Sequence, residues 1–177
     1  MMDSGMDVMV WIVVGAVVFF AYIAVHELGH AGAARLIGVP PHQVAVRLTE
    51  WPAHVALEAD GRWHRPGTAG YQDAYARHDR DLRWLGVFVA SGFIAQTAAM
   101  VLLVIGCFWL GVDDFGGRLV RISIVVNGLY LVGDAAATVA ARSPAGDMSS
   151  LLRHAPVVGV ATLGLLAVGH AAAWAVD

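Results

Sequence analysis

Four long apolar stretches constrain this chain more than anything else in it. They run from about Val8 to Leu36, Trp84 to Leu110, Leu119 to Ala141 and Pro156 to Val176. A helix of about 20 apolar residues crosses a hydrocarbon core about 30 Å thick. Within that core the backbone must satisfy its own polar groups, so an isolated apolar run of this length crosses as a helix. Composition points the same way. Hydrophobic residues make up 58% of the 177 and charged residues only 14%, against roughly 25% charged in a soluble domain. The expected fold is therefore an all-α integral membrane protein with about four transmembrane helices, a single membrane-embedded domain spanning 1–177. The net charge of −3 and the absence of a basic face argue against a nucleic-acid partner. The lipid bilayer is the expected surrounding.

Arginine placement suggests the orientation. Lysine is absent, and the segment between the first two spans carries Arg47, Arg62, Arg65, Arg77 and Arg80, flanked by Arg35 and Arg83. The segment between the last two carries Arg142 and Arg153. On the opposite side Arg118 and Arg121 are set against Asp113, Asp114 and acidic termini. The positive-inside rule then places the arginine-rich segments in the cytoplasm and both termini outside, as in a multi-pass protein of a bacterial cytoplasmic membrane. The leader holds Asp3 and Asp7 and no basic residue, which is wrong for a signal peptide, so the first span is read as retained.

Between the first and second spans, residues 38–83 form the only sizeable polar segment. Pro40-Pro41 ends the first helix. Gln43–Glu58 is rich in Val, Thr, Trp and Leu around Trp51-Pro52, which predicts two strands in a small β-hairpin-like insertion. The polar run Tyr71–Arg83 predicts a surface helix. His42, His54, His64 and His78 fall in this segment and read as solvated, whereas His170 stands alone in the last span and reads as a packed or interfacial histidine.

The chemistry is concentrated in His26-Glu27-Leu28-Gly29-His30, inside the first span. Two histidines four residues apart share one helix face and can bind one Zn²⁺. The adjacent Glu27 can reach a metal-bound water and serve as general base without being a ligand. Leu28 lies about 10 Å along the helix from Arg35 at 1.5 Å per residue, too deep for easy solvation. A charged carboxylate at the centre of a span costs about 2.5–3.5 kcal/mol on insertion scales, so its presence calls for a function. A catalytic zinc takes three protein ligands and keeps one position open. Two residues are candidates for the third ligand. Asp134 lies in the third span on the same face as Asn127. Asp147 follows Ser143-Pro144-Ala145-Gly146 at a loop-to-helix start.

These residues resemble the site-2 protease family of intramembrane zinc metalloproteases. His26–His30 matches the family's first motif in full. Ala90-Ser91-Gly92-Phe93-Ile94-Ala95-Gln96 is similar to its small-residue run, with Gln96 where asparagine is usual. Asn127 resembles the family's helix-borne asparagine, and Pro144 and Asp147 resemble its proline turn and aspartate ligand. Met148 stands where the family has glycine, Asp134 stands near the place of a second asparagine, and the interval to Asp147 is longer than in typical members. The resemblance implies Zn²⁺ held by His26, His30 and Asp147, while the residues by themselves leave Asp134 as the alternative ligand. It implies Glu27 as catalytic base, and Asn127, Asp134 and Gln96 as substrate-binding or ligand-orienting groups. The implied activity is hydrolysis of a peptide bond in a membrane protein substrate with a transmembrane helix. The alternative expectation is an inactive zinc-binding membrane protein acting as chaperone or regulator. A transporter is a weaker third reading, since no inverted repeat is visible. The sequence leaves the oligomeric state open.

Overall fold

The computed structural model describes residues 4–176; Asp3 of the acidic leader and the C-terminal Asp177 lie outside them. The chain is mainly helical. In order it forms α1 (Ser4–Leu36), β1 (Val44–Arg47), β2 (His54–Ala59), β3 (Arg62–His64), α2 (Ala69–Ala76), α3 (Leu85–Trp109), α4 (Asp113–Ala141), α5 (Asp147–His154) and α6 (Pro156–Val176). Four of these, α1, α3, α4 and α6, are long and apolar enough to cross a membrane. The chain is thus consistent with a multi-pass membrane protein.

The four expected helices are present, and the third begins well before its expected start. α4 begins at Asp113, not at Leu119. Arg118 and Arg121 therefore both lie within α4, where they stand over aromatic rings. The Arg118 guanidinium is 4.2 Å from the centre of the Trp11 ring, and that of Arg121 is 5.5 Å from Trp174. Cation–π contact of this kind suits a membrane boundary, where an aromatic ring and a charge share the headgroup region. These contacts bring the early part of α1, the start of α4 and the end of α6 to one end of the bundle. The histidines of α1, the start of α3 and the whole of α5 gather at the other. Cysteines placed at Ser4 and Arg65 in a Cys107→Ser background are accordingly expected to label from opposite faces of the membrane. Labelling from one face would break the four-span arrangement.

The insertion is a three-stranded antiparallel sheet in the order β1-β2-β3, not the expected two-stranded hairpin. The missed strand follows a two-residue turn. Ala59 pairs with Arg62 across Asp60 and Gly61, and both turn residues have positive φ, 53° and 75°. That is the backbone geometry for which Asp-Gly is favoured in tight hairpins. The expected surface helix Tyr71–Arg83 is also shorter, ending at Ala76. Beyond it the buried Asp79 turns the chain into α3, accepting from the backbone N–H of Arg83 (3.0 Å) and Trp84 (2.8 Å) and from the Tyr75 hydroxyl (2.9 Å). Burial and the Asp79 carboxylate together push the Tyr75 phenol above its ordinary range. His54, expected to be solvated, is buried at the start of β2, where its Nδ1 donates to the Pro52 carbonyl at 3.0 Å. His42 is exposed, and His64 and His78 are half-buried.

The sheet rests on the last turns of α1. Val55, Leu57 and Ala59 of β2 share a buried cluster with Ala31, Ala33, Ala34, Tyr75 and Phe88. A second cluster sets α5 against α3 and α6 through Ala90, Phe93, Met148, Leu151 and Leu166. Met148 is thus part of the packing that seats α5. α3 passes between α1 and α6. It approaches α1 closely because Gly29 lacks a side chain: a Cβ there would lie 2.4 Å from the Ser91 carbonyl oxygen.

Candidate metal centre

Because α1 and α3 touch at Gly29, the histidines on either side of it are held against α3. Each imidazole has one nitrogen committed. His26 Nδ1 donates to Gln96 Oε1 at 2.9 Å, and His30 Nδ1 donates to the Phe88 carbonyl at 2.9 Å. Ser91 Oγ, itself donating to the Phe88 carbonyl, lies 3.3 Å from His30 Nδ1. With their protons on Nδ1, both rings present Nε2 lone pairs to the same point, 3.1 Å apart.

The third atom at that point belongs to Asp147. Its Oδ2 lies 2.9 Å from His26 Nε2 and 3.1 Å from His30 Nε2. Among the described residues, His26, His30 and Asp147 form a group able to hold a metal ion. Three converging acceptors with no proton between them repel one another, and a cation removes that repulsion. Ligands at about 2.0–2.1 Å in a tetrahedral arrangement stand about 3.3 Å apart, close to the spacings found. The donor set, two imidazoles and a carboxylate, therefore fits a divalent ion.

Gly92 completes the space. A Cβ at this position would lie 2.6 Å from His26 Nε2 and 2.7 Å from His30 Nε2, in the volume on which the donor atoms converge. Gly92→Ala should therefore weaken metal binding at least about tenfold while the bundle still forms, as read by metal titration alongside circular dichroism. Unchanged affinity would mean that the donors do not converge beside Gly92.

Asp134 sits one step back. Its Oδ2 accepts from the backbone N–H of Ser149 at 2.9 Å, and its Oδ1 accepts from Thr138 Oγ1 at 3.1 Å. The first turn of a helix has N–H groups without intrahelical partners, and a carboxylate beside it is favourable. Asp134 thus caps α5 from α4 and fixes the turn that carries Asp147. Gly146 leaves room for it, since a Cβ there would lie 2.6 Å from Asp134 Cγ. Gln96 and Asn127 are buried and joined, Gln96 Nε2 donating to Asn127 Oδ1 at 2.8 Å. Glu27 is buried on α1 beside His26.

Tyr130 did not emerge from the sequence reading. Its hydroxyl donates to Asp147 Oδ2 at 3.3 Å, and its ring lies 5.8 Å from that of His26. The spacing Asn127, Tyr130, Asp134 places all three on one helical face, a pattern in which the tyrosine was visible. Tyr22 was also missed; its hydroxyl contacts Ser123 Oγ. No family model, curated protein or solved structure matches this chain.

Proposed function

We propose that this chain is an intramembrane zinc metalloprotease that hydrolyses peptide bonds of membrane-spanning substrates, similar to the site-2 proteases. One observation carries the reading. His26, His30 and Asp147 aim three donor atoms at one point in an apolar helix bundle, with the carboxylate of Glu27 on the next residue of the same helix. When bound there, zinc would supply Lewis acidity and lower the pKa of a water toward roughly 7. Glu27 takes the proton from the attacking water and later returns it to the leaving amine. Tyr130 and Asp134 hold Asp147 in place.

A substrate helix must unwind before its peptide bond can be attacked, because helical backbone groups are already paired. The outer edge of β1, beside the end of α1, offers a template on which an unwound segment pairs as an added strand. In this proposal the metal end of the bundle faces the cytoplasm, as the arginine distribution implies. Metal analysis of the purified protein, together with a cleavage assay on a transmembrane peptide in proteoliposomes, tests the reading. About one zinc per chain and chelator-sensitive cleavage are expected; metal-free protein with wild-type cleavage would overturn it.

A further inference from the structure

The ligand His26 is the end of a chain of buried side chains that crosses the bundle to α6. His26 Nδ1 meets Gln96 Oε1 at 2.9 Å, Gln96 Nε2 meets Asn127 Oδ1 at 2.8 Å, and Asn127 Nδ2 meets His170 Nε2 at 3.2 Å. Beyond that, His170 Nδ1 meets the Leu166 carbonyl at 2.6 Å, and Ser123 Oγ lies 2.7 Å from His170 Nε2.

Every side chain in this series can be turned around. An amide can exchange its oxygen and nitrogen, and a neutral imidazole can carry its proton on either nitrogen. Only the Leu166 carbonyl cannot, because it accepts and never donates. The proton of His170 must therefore sit on Nδ1, and its Nε2 is an acceptor. Asn127 must then turn its NH₂ toward His170 and its oxygen toward Gln96. Gln96 must in turn give its NH₂ to Asn127 and its oxygen to His26. His26 can meet that oxygen only with a proton on Nδ1, which leaves the Nε2 lone pair for a metal. Ser123 strengthens the same direction. Its hydroxyl proton goes to His170 Nε2, so Ser123 Oγ receives the Tyr22 hydroxyl.

We propose that His170, on the last helix, is a positioning residue that sets the metal-binding tautomer of His26 through Asn127 and Gln96. The proposal takes His26 as a metal ligand from the reading above. A wrong turn at any link places two acceptors or two donors face to face in a buried site, where an unpaired polar group is costly. A histidine that spends part of its time as the Nε2–H form binds metal correspondingly less well. Groups that orient a ligand typically contribute 10–100-fold in metal affinity.

The test uses ¹⁵N-histidine-labelled full-length protein in micelles. Imidazole ¹⁵N signals are recorded without metal in an Asp147→Ala background, because the carboxylate 2.9 Å from His26 Nε2 would itself hold a proton there, and at a pH where the spectra show neutral rings; zinc affinity is measured separately by competition with Asp147 in place. With Gln96, Asn127 and His170 unchanged, His26 should be wholly in the Nδ1–H form. His170→Phe, which removes the acceptor, should give a mixture of tautomers and about tenfold weaker zinc binding. His170→Gln, whose amide oxygen can occupy the place of Nε2, should restore both. Asn127→Leu keeps the volume and cuts the series in the middle, so it should release His26 as His170→Phe does, and it carries the test if His170→Phe does not fold. A uniform Nδ1–H signal for His26 in either of these two variants would overturn the proposal, as would a His170→Gln protein no better than His170→Phe. The tautomer is read on metal-free protein, so a failure here is distinct from a failure to find zinc in the wild type.

Discussion

Glu27→Gln is expected to bind zinc as wild type does and to lose cleavage by a factor of about 10²–10⁴, the usual contribution of a positioned general base. The amide has nearly the shape of the carboxylate and the same place on α1, so packing around His26 and His30 should persist. It cannot take a proton. Metal stoichiometry and single-turnover cleavage of a transmembrane peptide, measured on the same preparation, check both halves. The result also separates an enzyme from a zinc-binding chaperone. A protein that uses zinc only to hold its shape would act equally well with glutamine at position 27. Undiminished cleavage by Glu27→Gln would remove the carboxylate from the mechanism.

The second large effect concerns the two aspartates. Asp147→Ala should all but abolish zinc binding, because two imidazoles remain where three ligands are required. Asp134→Ala should be milder. It takes away the acceptor for the Ser149 N–H and loosens the first turn of α5, but leaves the Asp147 carboxylate in the protein. A loss of about 10–100-fold in affinity is the usual scale for a group that orients a ligand. Asp134→Asn, which keeps one acceptor oxygen, should fall between Asp134→Ala and wild type. Near-complete zinc in Asp147→Ala alongside loss in Asp134→Ala would reverse the assignment. Zinc per chain after dialysis against a weak chelator decides between them.

The sequence made some of this legible and not the rest, for physical reasons. The spans could be read because backbone satisfaction in lipid allows few alternatives. The paired histidines could be read because helical spacing alone brings residues 26 and 30 to one face. Asp147 entered as a candidate through its turn, but its distance from the histidines depends on how Met148 and Leu151 seat α5 against Phe93. No local pattern encodes that. β3 was missed although Asp60-Gly61 announces it, since the three residues after the turn are too short a run to show alternation. His170 looked isolated for a deeper reason. On a membrane helix the face toward lipid and the face toward other helices are both apolar, so periodicity does not reveal which residues point inward. The partners of His170 come from α4, 43 and 47 positions away in the chain.

The Leu166 carbonyl has a consequence for how this protein can change over time. It is a backbone atom, so no point mutation alters its preference for a donor. Everything between it and His26 is then subject to a parity rule. Each link must receive on one side and give on the other, in the same direction, and a replacement that reverses one link must be matched by a reversal at the next. Gln96, Asn127 and His170 are therefore free to vary only in combinations that keep this order of giving and receiving. A replacement at one of them that breaks this order would be registered at His26, on another helix, with no change in the candidate ligands themselves.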